Sequence, residues 1–161
     1  MQNKFKSKAL RNPWYFIAAG FGSGLLPYAP GTWGTLLAIP MVWLLSFCPL
    51  IVYLAVTAAA FLVGVIVSDW VTHDMGEHDY PGIVWDEIVG YLITMILVPA
   101  TLTWLLVGFF LFRLFDIWKP QPIRYLDKTI KGGMGIMLDD VLAAVFAWIV
   151  LQALMWAFSY S

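Results

Sequence analysis

Seven side chains of this 161-residue chain stand where they could do chemistry together. Asp86-Glu87 and Asp139-Asp140 are adjacent carboxylate pairs, and Arg113, Asp116 and Lys119 follow one another at three-residue intervals. Carboxylate oxygens are hard ligands that select magnesium, manganese or calcium over zinc. If Asp86, Glu87, Asp139 and Asp140 converge beside an apolar wall, their mutual repulsion is severe, and a divalent cation removes it. Arg113 and Asp116 share a helix face, and a guanidinium grips phosphate oxygens with a two-pronged fork. Lys119 adds a point-like positive charge just before Pro120 stops the helix. Cation, arginine and lysine together are the equipment for transferring a phosphoryl group to water.

Each of these residues also has an ordinary structural duty. Asp86 and Glu87 open a helix, where acidic side chains offset the helix dipole. Asp139 and Asp140 cap the last helix, but one would suffice for that, and a second carboxylate at a membrane boundary points to ligation. An exposed Arg113–Asp116 pair contributes about 1 kcal/mol or less. Arg113, however, follows a long uncharged run, which sets it at the level of a lipid head group.

Two further segments carry candidate groups. Gly22 to Thr35 is rich in glycine and proline and reads as a loop. Thr32 there is a fair N-cap for the next helix, whose first amides could receive an anion. A plain helix-entry turn is the commoner use of such a sequence, and no Gly-Lys-Ser/Thr closes it as a Walker loop. His73 and His78 lie five apart in an acidic stretch and miss the His-Glu-x-x-His zinc spacing. They read as loop or supporting residues rather than ligands.

The elements that position these groups follow from composition. Hydrophobic residues make up 61% of the chain, charged residues 12%, and mean hydropathy is +0.82. A soluble domain carries roughly 25% charged residues, so an ordinary soluble globule and a disordered chain are excluded. A net charge of −1 offers no field for a nucleic acid. The single cysteine, Cys48, excludes an internal disulfide or a cysteine metal cluster. All nine basic residues fall in two patches, Lys4 to Arg11 and Arg113 to Lys131, and all ten acidic residues lie between Asp69 and Asp140. Residues 12–68, 88–112 and 141–161 carry no Asp, Glu, Lys or Arg. A bilayer imposes this pattern, because a charge in hydrocarbon is costly.

The chain therefore reads as all-α, a polytopic membrane helical bundle and one membrane-embedded domain over 1–161. The apolar run after Arg11 is broken by glycines and prolines, so it is part of the mature protein rather than a signal peptide. Lys4 to Arg11 is a cytoplasmic anchor under the positive-inside rule. Residues 33–47 and 50–68 form a helical hairpin around Pro49. Residues 69–87 form an acidic segment. A single span over 88–112 would leave the basic segment 113–131 outside, so a helix pair bent at Val98-Pro99, or re-entrant, is favoured. Residues 141–158 form a spanning helix. Segments 22–35, 69–87 and 113–140 then meet on one cytoplasmic face and form a polar active site.

Four motifs resemble the phosphatidylglycerophosphatase A family: Gly31-Thr32-Trp33-Gly34-Thr35; Ile83-Val84-Trp85-Asp86-Glu87-Ile88-Val89-Gly90; Phe112-Arg113-x-Phe115-Asp116-x-x-Lys119-Pro120-x-Pro122-Ile123; and Gly133-x-Gly135-Ile136-Met137-x-Asp139-Asp140. The resemblance runs from about residue 14 to the C-terminus. It departs from the family at Thr35, where serine is common, and at Ala144, where glycine is expected. It implies a magnesium-dependent, multi-pass enzyme of the bacterial inner membrane. Such an enzyme removes the terminal phosphate of phosphatidylglycerophosphate to give phosphatidylglycerol. Carried over, Asp86, Glu87, Asp139 and Asp140 are the metal candidates. Asp86, Arg113, Asp116, Lys119 and Asp139 are the catalytic candidates, and Thr32, Arg113 and Lys119 would hold the phosphate. Attack by water at the cation and attack by an aspartate, Asp116 or Asp139, both stay open. Outside the resemblance, a transporter or ion-pathway subunit would use the carboxylates as relay groups, and a structural subunit would use the polar loops to bind a partner. Against a transporter, the charges cluster at span ends and none sits mid-span.

Overall fold

A computed structural model describes residues 2–76 and 80–159, with only the backbone described at 2, 3 and 126–128. Eight α-helices succeed one another: α1 (Gln2–Ala9), α2 (Pro13–Ala18), α3 (Pro30–Leu45), α4 (Leu50–Met75), α5 (Trp85–Thr94), α6 (Leu102–Trp118), α7 (Ile123–Thr129) and α8 (Gly132–Ser159). A 3₁₀ stretch, Gly20–Leu25, lies between α2 and α3, and no strand occurs among the described residues. Helix α8 is the central post, packed against α4, α5, α6 and α7.

Helices α4 and α8 are long and apolar enough to cross a membrane, and only 22% of each apolar window is buried. A core helix of a soluble protein would be mostly covered, whereas these two leave most of their apolar surface uncovered. The two helices touch through small residues. A methyl group at Gly133 would sit 2.0 Å from the Val65 carbonyl oxygen, and one at Gly64 would sit 2.5 Å from the Met137 sulfur. Small residues at the contact let helices approach where apolar burial gives little net drive.

The uncharged run 88–112 forms two helices joined by residues 95–101 rather than one span. Pro99 cannot donate a backbone bond, and Leu97 adopts a left-handed φ of 59°. A break exposes helix-end carbonyls that must be satisfied internally. Tyr53 Oη donates to the Leu92 carbonyl at 2.7 Å and Trp148 Nε1 to Ile96 at 2.8 Å, while Tyr91 Oη ties α5 to α6 by donating to the Leu105 carbonyl at 2.7 Å. The bend thus returns the chain, and the start of α5 and the end of α6 lie side by side.

Three local expectations need correction. Helix α3 begins at Pro30, not after Thr32; Ala29, with a left-handed φ of 48°, takes the cap position without a side-chain bond. Proline at the first helical position is pre-set for that role, so Pro30 outranks Thr32 as the start. Helix α8 begins at Gly132, so Asp139 and Asp140 lie inside it and cap nothing. Its start is served instead by Asp69 of α4, whose Oδ1 accepts the Gly133 amide at 3.0 Å. Finally, residues 69–75 of the expected acidic segment continue α4 to Met75.

Candidate active site

The first turn of α5, the last turns of α6 and the second and third turns of α8 meet at one end of the bundle. Trp85 fixes the start of α5: its indole nitrogen donates to the Ala60 carbonyl of α4 at 2.8 Å. Asp86 and Glu87 follow in that first turn. From α6, Arg113 pairs with Asp116 one turn on, and its Nη1 stands 3.7 Å from Glu87 Oε1. Lys119 closes α6 in a left-handed conformation, φ 44°, and its ammonium pairs with Asp139 of α8. A non-glycine residue held there is strained, and such strain persists where the surrounding structure enforces it.

Asp86, Glu87, Arg113, Asp116, Lys119, Asp139 and Asp140 all line one cavity of about 260 Å³, completed by Ala29, Pro30, Gly31, Pro81 and Ile83. The cations and anions stand in sequence: Glu87 against Arg113, Arg113 against Asp116, Lys119 against Asp139. The carboxylates of Asp86, Glu87 and Asp140 form a second group that shares Glu87 with this series, each offering an oxygen within 4.8 Å of the others. Asp139 stands outside it. Its Oδ2 serves Lys119 and its Oδ1 accepts the Asp140 amide at 3.1 Å. Neighbouring helix positions point about 100° apart, so one aspartate faces the lysine and the other faces α5.

The donor set suits a hard divalent cation. It is three carboxylates without sulfur or imidazole, and Glu87 Oε2 and Asp140 Oδ2 are buried with no hydrogen-bond partner. Buried carboxylate oxygens without partners are costly, and a cation supplies what they lack. Arg113 Nε is also buried and unpartnered. Gly31 makes the close fit possible, since a methyl group there would sit 2.0 Å from Glu87 Oε1 and 3.0 Å from Arg113 Nη1.

Thr32, one residue past Gly31, is half-buried in the first turn of α3 and does not line the cavity. His73 is exposed in the last turn of α4 and does not line it either. His78 lies outside the described residues, with Glu77 and Asp79. Sequence reasoning missed Asp69 as the anchor of α8, and missed Gly31, Pro81 and Ile83 as walls. Asp69 did carry a signal, because it is the first charge after the uncharged stretch 12–68.

The family model of phosphatidylglycerophosphatase A matches residues 16–155. A phosphatidylglycerophosphatase A of Haemophilus influenzae is 48% identical over 154 residues, covering 94% of each chain. One of Escherichia coli is 45% identical over 139 residues, 86% of this chain and 81% of its own. A putative phosphatidylinositol-3-phosphatase of Bacteroides thetaiotaomicron is 38% identical over 149 residues, 87% of this chain and 92% of its own. No solved structure matches the chain. All four motifs fall within the matched stretch, and their charged residues are those that meet in the cavity. The chain is an enzyme and belongs to the phosphatidylglycerophosphatase A family.

Proposed function

We propose that the chain hydrolyses the terminal phosphomonoester of phosphatidylglycerophosphate, releasing phosphatidylglycerol and inorganic phosphate, with magnesium as cofactor. One observation carries this reading: two phosphate-gripping cations and a three-carboxylate group from α5, α6 and α8 share one cavity. Asp86, Glu87 and Asp140 would hold the magnesium ion, which would offset their repulsion and act as a Lewis acid on phosphoryl oxygens. Arg113 offers its fork and Lys119 its point charge to the phosphate. Asp116 and Asp139 keep those two cations aimed while the site waits. When a doubly charged phosphate arrives, it takes over part of each pairing. Asp139 and Asp116, which line the cavity outside the three-carboxylate group, would then accept or return a proton at the leaving oxygen.

The same reading makes the protein a multi-pass enzyme of the bacterial inner membrane with its cavity on the cytoplasmic side. Both basic patches belong to the cavity end, through Lys8 at Asp74 and Arg113 and Lys119 in the site. The connections 46–49 and 95–101 at the other end carry no charge, as the positive-inside rule expects. The test is phosphate release from phosphatidylglycerophosphate by purified protein, with and without chelator. Release that stops with chelator and returns with magnesium supports the reading; full release in chelator removes the cation. Phosphatidylinositol 3-phosphate in the same assay distinguishes the activity named for the Bacteroides relative.

A further inference from the structure

Helix α1 is short, basic and placed beside the cavity wall. Phe5 and Ala9, four apart, are buried, whereas Lys4, Lys6 and Arg11 are exposed. Its depth is fixed by Lys8, which pairs with Asp74 of α4. Asp74 lies five residues beyond Asp69, the first charge after the uncharged run, or about 7–8 Å further along the helix. That is head-group level for a bilayer around α4. Exposed Leu10, Trp14 and Phe16 stand on either side of Arg11, and apolar side chains beside a basic face mark a segment lying in an interface. Tyr15 Oη donates to the same Asp74 carboxylate at 2.6 Å. Burial, with that bond adding to it, pushes the Tyr15 hydroxyl up to about 12, so it stays a donor.

The inner face of α1 reaches the cavity wall. The Phe5 ring packs on Tyr15 and Tyr80 with centroids 5.3 and 4.6 Å away. A methyl group on Gly82 would meet Phe5 Cε1 at 2.7 Å. Pro81 and Ile83, on either side of Gly82, line the cavity. The amide of Val84 is tied to the Ala18 carbonyl at 2.9 Å, directly before α5.

We propose that α1 and the turn after it bind anionic phospholipid head groups through Lys4, Lys6 and Arg11 and, through Phe5 against Gly82, hold the Pro81–Ile83 wall of the active site. The surface charge of the bilayer then sets how firmly that wall is held. This goes beyond the hydrolytic reaction, because these head groups bind by charge at α1, outside the cavity, and are not hydrolysed there.

The full-length protein, reconstituted in phosphatidylcholine vesicles with or without phosphatidylserine, tests it by amide hydrogen exchange. Phosphatidylserine slows exchange in α1 and at Ile83 and Val84 by roughly tenfold at low salt, and less as salt rises. The triple variant Lys4→Gln/Lys6→Gln/Arg11→Gln, which spares the Lys8–Asp74 pair, loses the response. Phe5→Ala, with Phe5→Leu as the milder change, keeps the response in α1 and weakens it at Ile83 and Val84. Equal exchange in the two vesicle types, or a triple variant that responds like the parent, overturns the head-group site. A response at Ile83 and Val84 that survives both Phe5 variants overturns the coupling. No substrate is present, so either failure leaves the phosphatase reading standing, and loss of phosphatase activity leaves this test unchanged.

Discussion

At the bend between α5 and α6, the carbonyls of Leu92, Ile96 and Leu105 each accept a bond from an aromatic side chain. At the opposite end, Glu87 Oε2, Asp140 Oδ2 and Arg113 Nε are buried and unpartnered. The bend is neutral, with these three carbonyls bonded, and the cavity is charged and holds buried polar atoms without partners. An apolar surrounding demands the first arrangement of any broken helix, because nothing outside can bond the backbone. The second arrangement opposes folding, and it makes sense only where a ligand completes it. One end of the molecule is thus built for stability and the other for binding.

This contrast can be broken most sharply at the carboxylates. Asp140→Asn is expected to lower phosphate release by roughly a thousandfold, the scale lost when a group facing developing charge is removed. The same change relieves repulsion among Asp86, Glu87 and Asp140, so thermal unfolding in detergent should stay level or rise. A variant that loses both activity and fold would place Asp140 with the structural groups. Gly31→Ala is next. Its methyl group would overlap Glu87 Oε1, and a displacement of that size costs about a hundredfold in turnover. Parallel kinetic and unfolding measurements should show the activity falling further than the stability. The smallest change belongs to the bend. Trp148→Phe leaves the Ile96 carbonyl without its 2.8 Å donor, so unfolding should become easier by about 1 kcal/mol, with turnover near normal.

The bend was legible because charge forbids the alternative. Asp86-Glu87 and Arg113 flank an uncharged run, Pro99 interrupts it, and a single span would separate two groups that attract. The 3.7 Å approach of Arg113 to Glu87 is the outcome. Which charged residues line the one cavity was legible for the same reason, since charges gathered at helix ends had one common place to go. The division of labour between Asp139 and Asp140 was not. It depends on where α8 starts and how it is rotated, and both are set by contacts distant in sequence. Asp69 receives the Gly133 amide, and Gly133 presses on the Val65 carbonyl. Gly132, Gly133 and Gly135 form the first turn of α8, where a methyl group at 132 or 133 would run into α4 and one at 135 into the Ile130 carbonyl. The start of α3 differs for a simpler reason: Thr32 is a cap by residue type, but Pro30 already occupies the first helical position.

The central claim is that Asp86, Glu87 and Asp140 together form a divalent-cation site while Asp139 serves Lys119. Manganese binding followed by electron paramagnetic resonance tests it directly, without turnover. The account predicts a bound signal in the parent protein that is lost in Asp86→Asn, Glu87→Gln and Asp140→Asn and kept in Asp139→Asn. No bound manganese in the parent, or equal binding in all four variants, would contradict it.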